Sequence, residues 1–383
     1  MGGGGSAAPA KERGYLAATL PQPDDKITKR SLRECIPPEY FKRSYAISLG
    51  HMAWDCFIVV FSWWLALQAS AALPWFCSPA VWGFYWWYQG ITCTGLWVIA
   101  HECGHGGFTD SRLVNDVCGW LIHSSLLTPY FSWAITHAKH HHYTNHMTMG
   151  ETWVPSTANP EKKSVKYAKT HLGTIERVVK IAVMGWYVYL FVNATGARQN
   201  RGQSHFNPAA RALFKPKDRP YVIASNIGML LGLAVVLLSV KHYGLWVVFR
   251  NYLMPQTITN FYLTSITFMQ HTHPDVPHFD GEDWTWLRGA LSTIDRTMGP
   301  FIDAKLHHIC DSHVVHHIFS DMPFYGAKAA TPYVKEHLGI YYKSVLDSKA
   351  LGSPYLGWLR DYYVAQKETV TVQKGENGWL WFK

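Results

Sequence analysis

Residues 91–105 read Ile-Thr-Cys-Thr-Gly-Leu-Trp-Val-Ile-Ala-His-Glu-Cys-Gly-His. An apolar run closes here on two histidines four residues apart. On a helix, positions i and i+4 share one face, so both imidazoles point the same way. The run belongs to a longer apolar stretch, 80–100, about the roughly 20 residues that a membrane-spanning helix needs. Paired imidazoles at the mouth of such a helix predict an all-α membrane bundle with a histidine site at its surface.

The neighbouring segments extend that reading. Residues 46–72 are apolar and Trp-rich, with Asp55 the only acid. Further on, 178–195, 221–240 and 244–269 compete as spans. The first has an unbroken apolar core only from Ile181 to Val192, a length that suits an interfacial or buried helix. The other two are predicted to form a hairpin turning at Lys241-His242-Tyr243. About four spans result: 46–72, 80–100, 221–240 and 244–269. Residues 117–133 are expected to dip into the interface, and 271–383 to form a polar, aromatic cap.

Charge bias orients the bundle. Lys11, Arg13, Lys26, Lys29, Arg30, Arg33, Lys42 and Arg43 precede the first run, whereas Leu73–Pro79 contains no Lys or Arg. By the positive-inside rule the N-terminus is cytosolic, and two crossings return His101 to that side. All the histidine-rich segments and the C-terminus then share the cytosolic face. Residues 1–44 read as a polar, irregular cytosolic segment and 45–383 as one membrane domain. The opening Met-Gly-Gly-Gly-Gly-Ser formally fits a myristoylation pattern at Gly2 and equally a flexible start. It has no signal-peptide character.

Composition agrees. Of 383 residues, 16% are charged, 48% hydrophobic and 15% aromatic, against about 25% charged in a soluble domain. The net charge of +9 comes without any nucleic-acid-binding motif. It is read as attraction to anionic lipid. The Cys residues are scattered, without a CxxC, so neither a disulfide framework nor a thiolate metal site is expected.

Two more histidine groups repeat the spacing: His137-Ala-Lys-His140-His141 and His313-Val-Val-His316-His317. Eight imidazoles exceed the four ligands of one zinc ion and suit two ions. Imidazole alone leaves Zn, Cu, Fe and Ni open. His101-Glu-Cys-Gly-His105 also has zincin spacing, but that reading leaves the other six clustered histidines unused. His51, His123, His171, His205, His242 and His337 are expected to be ordinary polar residues.

These boxes resemble those of the membrane fatty acid desaturases, in particular the methyl-end group of oleate Δ12 (ω6) desaturases and their ω3 relatives. The resemblance runs from about residue 24 to the C-terminus. It is carried also by Ile36-Pro-Pro-Glu-Tyr-Phe-Lys-Arg-Ser44, Leu126-Leu-Thr-Pro-Tyr-Phe-Ser-Trp133, Gln270-His-Thr-His-Pro274, Arg288-Gly-Ala-Leu291, Thr293-Ile-Asp-Arg296 and Asp311-Ser-His-Val-Val-His-His-Ile-Phe-Ser320. There is no His-Pro-Gly-Gly haem motif, and the third box begins with His313 rather than the Gln of front-end desaturases. Gly106 stands where many plant members have His, and Ser312 where Thr is common.

The resemblance implies a non-haem di-iron centre held by His101, His105, His137, His140, His141, His313, His316 and His317. A ninth histidine is implied after the last span, with His271 the first candidate, then His273 and His308. It implies O2-dependent insertion of a cis double bond at Δ12 of an oleoyl chain. Electrons would come from cytochrome b5 and its NADH-dependent reductase, at the endoplasmic reticulum. The substrate would be a fatty-acyl lipid or acyl-CoA, and a homo-oligomer is compatible; no nucleic-acid partner is expected. Glu102 and Asp311 adjoin the ligands and are placed to orient imidazole N–H groups. Trp97, Trp133, Tyr143 and Trp153 are candidates for an acyl channel, or for an interfacial aromatic belt. Asp55, inside a span, is a functional candidate without an assigned role. Rival readings are an ω3 desaturase, a hydroxylase or acetylenase on the same scaffold and, in a different class, a histidine-rich metal transporter. The transporter would place ionisable residues along the spans, which only Asp55 and Arg250 interrupt.

Overall fold

Two facing helices of equal length organise the molecule. The computed structural model describes residues 26–345, 356–375 and 378–383; the Gly2 pattern and the first 25 residues of the polar N-terminal segment lie outside them. Helix α1, Tyr45–Ala72, starts where the Ser44 side chain accepts a hydrogen bond from the Ile47 N–H. It stops before Pro74, which has no N–H to continue the ladder. Helix α2, Ser78–His105, has Pro79 in its first turn and ends at Gly106, whose φ of 74° is the left-handed cap that glycine adopts at little cost. That cap stops the helix one residue after His105.

The two helices bury themselves very differently. Along α1 only Ser48, Asp55 and Ala66 are buried, and Trp54, Phe57, Val60, Phe61 and Trp64 face outward. Along α2 nearly every residue from Gln89 to Cys103 is buried, against α1, α3 and α7. Small residues permit that closeness: a Cβ on Gly90 would lie 2.5 Å from the Ile258 side chain, and one on Gly95 would lie 2.3 Å from the Lys305 carbonyl oxygen.

Helix α3, Arg112–Ser125, and helix α4, Tyr130–His142, follow, reversed through Leu127 at φ 49°. This is the 117–133 segment, folded as a helix end and a turn. Helix α5 is composite: His171–Lys180, a π-helical turn Ile181–Gly185 and Trp186–Val192. It buries Trp186, Tyr189 and Leu190 and exposes Leu172, Ile175, Val179 and Phe191, so apolar side chains stand on both of its faces. Helix α6, Arg219–Tyr243, and helix α7, built from Leu245–Val248, a π turn Phe249–Leu253 and Met254–His271, form the hairpin. Its turn differs from expectation. Lys241, His242 and Tyr243 are the last helical turn of α6, and Gly244 at φ 84° reverses the chain.

Among the described residues, Tyr45–Ala72 and Pro216–Tyr243 are long and apolar enough to cross a membrane by length and composition. The remaining chain caps the α2, α4 and α7 ends. It includes α8, His313–Ile318, α9, Phe324–Leu338, and α10, Gly357–Glu368. The all-α expectation needs a small correction. Strand β1 (Asp295–Arg296) pairs in parallel with β2 (Ser344–Val345), and β3 (Val372–Lys374) pairs antiparallel with β4 (Leu380–Phe382). The N-terminal segment is not wholly irregular either. Thr28 caps a helix Lys29–Glu34, and Leu32 and Ile36 bury against Val314, Val315 and Ile318 of α8.

Candidate metal centre

Three helix ends and one short helix deliver histidines to one place. The end of α2 presents His101 and His105, the last two turns of α4 present His137, His140 and His141, and α7 ends on His271. The whole of α8 is the third box. One ring nitrogen from each of His101, His105, His137, His141 and His316 lies within 4.8 Å of the others, and the same holds for one from each of His140, His271 and His317. His313 joins the second group, its Nε2 3.1 Å from His271 Nε2. The clusters touch where the His141 and His317 rings stack with centroids 4.0 Å apart.

Within the groups Nε2 faces Nε2. His101 lies 2.9 Å from His137 and 3.3 Å from His105, His141 lies 3.1 Å from His137, and His140 lies 3.1 Å from His271. A neutral imidazole carries one N–H, so many of these nitrogens point lone pairs at one another. Burial holds the pKa of His137, His141, His316 and His317 well below the ordinary histidine value, and neighbouring imidazoles push the same way. His140 is pushed down to about 3 by burial. These rings are therefore neutral near pH 7. His316 Nε2 and His317 Nε2 are buried with no hydrogen-bond partner among the described residues. Converging neutral donors with orphaned lone pairs fit metal cations, one per group.

The surroundings orient the rings. Glu102, one of the most buried side chains, has Oε1 2.9 Å from His101 Nδ1 and 3.8 Å from His316 Nδ1. Thr144 Oγ1 lies 3.2 Å from His317 Nδ1. Asp311 does not take the orienting position expected of it. Its carboxylate turns away to His308 Nδ1 and Lys328 Nζ, 3.1 and 2.5 Å distant. Asp295 engages the third box instead, accepting from the Val314 N–H at 2.8 Å and from the Tyr342 hydroxyl. Neither His273 nor His308 enters the cluster: His273 Nδ1 accepts from the Asp275 N–H. Lys139, in the middle of the second box, points to the buried Glu151.

An apolar cavity opens beside the cluster. It is a narrow slot, about 60 Å³, and not an open chamber. Trp97, Trp133 and Trp153 line it with Trp186, Tyr189 and Leu263, and His101, His137, His140, His271 and His313 form one wall. Tyr143 does not line it. That residue ends α4, and its ring packs on His142 and Trp284. Sequence reasoning passed over Thr144, Trp186 and Tyr189. Thr144 sits three residues after His141, a helical spacing that could have marked it. Trp186 and Tyr189 fall in a segment whose apolar pattern marks burial and nothing more.

Asp55 acquires a partner. Its Oδ2 lies 2.7 Å from Nε2 of His307, a residue with φ 51° in the turn before the third box. The pair ties the outer helix α1 to the loop that carries His313. Of the histidines given no site role, His123 is buried with Nε2 3.2 Å from the Trp97 carbonyl, and His205 Nδ1 lies 3.1 Å from the Leu190 carbonyl.

The arrangement defines a class: a helical protein with a buried polyhistidine cluster facing an apolar, aromatic-walled cavity. A family model described as fatty acid desaturase matches residues 80–348. The chain is 40% identical to a Δ(12) fatty acid desaturase of Mortierella isabellina, over 88% of this chain and 86% of that protein. It is 35% identical to an omega-6 fatty acid desaturase, endoplasmic reticulum, of Brassica juncea, over 99% and 97%. It is also 37% identical to an acyl-lipid (9+3)-(E)-desaturase of Dimorphotheca sinuata, over 90% of each chain. The chain belongs to the fatty acid desaturase family, and it is an oxidoreductase of lipid metabolism.

Proposed function

We propose that this enzyme converts an oleoyl chain to linoleoyl by inserting a cis double bond at Δ12. The observation that carries the reading is the wall shared by the two histidine groups and the apolar cavity. The relatives that bear the Δ12 name, similar over most of the chain, supply the position. The proposed ligands are His101, His105, His137, His141 and His316 for one iron ion and His140, His271, His313 and His317 for the other. When bound, the iron pair supplies, with O2, an oxidising power that amino-acid side chains lack. In balance, two methylene hydrogens with their electrons, two further electrons and two protons reduce O2 to two waters.

The chain's own residues do the rest. The aromatic walls at Trp97, Trp133, Trp153 and Trp186 exclude water and hold the acyl chain, so that one pair of carbons faces the imidazoles. Successive methylenes are chemically alike, so selectivity must come from this fit. Glu102 and Thr144 keep His101, His316 and His317 in register. The proposed setting is the endoplasmic reticulum membrane, crossed four times by α1, α2, α6 and α7, with the histidines and both termini cytosolic. Cytochrome b5 and its NADH-dependent reductase are the proposed electron source. A glycosylation acceptor placed between Leu73 and Pro79 should be modified in that topology, and one at the C-terminus should not.

The deciding experiment is expression in a yeast that makes oleate but no linoleate, with fatty-acid methyl esters resolved by gas chromatography–mass spectrometry. A 9,12-18:2 product, absent from a His316→Ala control, is expected. An 18:3 appearing only in linoleate-fed cells would replace Δ12 with ω3. The similarity to the (9+3)-(E)-desaturase favours a second reading, a trans bond at the same carbons, which the same chromatogram separates.

A further inference from the structure

A buried carboxylate outside the imidazole cluster gathers four segments of chain. Glu151 is fully buried and does not itself line the histidine-walled slot. Lys139 Nζ, from the middle of the second box, pairs with its Oε1, and the Asn200 side-chain amide donates to the same oxygen at 3.2 Å. The Asn193 amide donates to Oε2 at 3.3 Å. Lys139 Nζ also donates to the Ala212 carbonyl at 3.3 Å. Backbone bonds close the same junction: the Ala197 N–H donates to the Gly150 carbonyl at 3.0 Å, and the Val154 N–H to the Thr195 carbonyl at 2.9 Å.

Each partner leads to a wall of the slot. Lys139 sits in α4 between His137 and His140, which belong to the imidazole wall. Glu151 is followed by Thr152 and Trp153, both lining residues, and Trp153 is held at φ 53°, a backbone region that bulky L-residues rarely adopt and that clusters at functional sites. Asn193, at φ 45°, caps the end of α5, the helix that brings Trp186 and Tyr189 to the slot, and Thr195 lies two residues beyond. One carboxylate thus couples the imidazole wall to the aromatic ones. A buried ion pair adds little net stability over apolar packing, because desolvation offsets the attraction; its best-attested use is to specify one arrangement. Apolar contacts would let these segments slide, whereas a carboxylate with directed donors from three of them does not. Sliding matters here because one methylene of misfit in an apolar site is worth only about 10–200-fold in discrimination.

Building on the proposed desaturation, we propose that Glu151 is the positioning residue that sets which carbon pair of the acyl chain faces the imidazoles. It acts through Lys139, Asn193 and Asn200, which fix the aromatic walls against His137 and His140.

The test expresses the full chain and its variants in yeast and locates the new double bond by mass spectrometry of picolinyl esters, with bound iron measured on the purified proteins. The readout is the ratio of product with the bond at the wild-type carbons to product with it one carbon away, a ratio that lower expression or stability does not move. Glu151→Gln removes the charge at constant size and should raise the displaced share about tenfold or more. Lys139→Gln should do the same, and Lys139→Arg should keep most of the wild-type ratio. Less product at an unchanged ratio in Glu151→Gln, with or without a loss of iron, overturns the proposal. Should Glu151→Gln fail to accumulate, Asn200→Ala carries the test, because it deletes one donor and leaves the ion pair. A smaller shift of the same kind is expected there, and an unchanged ratio overturns the proposal. Displacement is counted from the wild type's own position. A wild type that works at ω3 would therefore sink the Δ12 reading alone, and a Δ12 wild type whose variants hold their position would sink only this one.

Discussion

Helices α1 and α2 are both 28 residues long and both rich in aromatics, yet three side chains of α1 are buried and sixteen of α2. The outer helix meets the criterion for a membrane span, and the inner one, which carries the first histidine pair, does not. The difference has a physical origin. A helix packed on several others needs small and hydrogen-bonding residues where backbones approach, so Gly90, Gly95, Thr92, Thr94 and Gln89 replace larger apolar side chains. Hydropathy therefore marks the helix with the exposed apolar face and understates the one that builds the site.

Matched substitutions on the two helices test that division, and their effects should fall in a fixed order. On α2, His101→Ala should lower product formation by more than about 100-fold and reduce bound iron measured by plasma mass spectrometry, because a ligand should matter more than the roughly 10–100-fold of a supporting residue. His51→Gln on α1 should leave both unchanged. Glu102→Gln should fall between them, at about 10–100-fold, with the iron content showing whether affinity or turnover is lost. Asp55 is the exception on α1. Asp55→Ala leaves buried His307 without its partner and should cost roughly 1.5–3 kcal/mol in thermal unfolding of the solubilised protein. A loss as small as those on the outer face would remove Asp55 as a tether for the third box.

Glycines sharpen the contrast further. Gly95→Ala should destabilise by about 1–3 kcal/mol, because its Cβ meets the Lys305 carbonyl oxygen. Gly50→Ala on α1 meets nothing within 4 Å and should be neutral or slightly stabilising. A comparably small change is expected of Phe57→Leu on the outer face, within about 0.5 kcal/mol. If Phe57→Leu matched Gly95→Ala, α1 would be a packed helix and the division would fail.

The histidine boxes could be read from the chain because ligand spacing is a local, helical property. His101 and His105, or His137 and His141, share a face wherever the helix lies. His271 came into view differently: the resemblance implies a ninth histidine after the last span, and His271 is the first imidazole there. Side chains that act across elements were not. Asp311 adjoins the third box in sequence but turns to Lys328, whereas Asp295, eighteen residues upstream of His313, reaches the Val314 N–H through the cap. Tyr143 lies close to the second box in sequence and on the wrong side of α4 for the cavity. The turn at Gly244 escaped because Lys241, His242 and Tyr243 are polar enough to read as a loop, while helix ends are decided by a backbone angle.

Periodicity and residue type thus determined the helical class, the three histidine pairs and triads, and the charge bias across the first span. These depend only on the 3.6-residue repeat and on local composition. Tertiary structure alone decided which five and which four imidazoles converge, that Glu102, Thr144 and Asp295 support them, and that Asp55 reaches His307 across 252 positions of chain. It also gathered Lys139, Asn193 and Asn200 on Glu151. Each of these is a contact between segments far apart in sequence, and no local pattern encodes the distance that packing imposes on them.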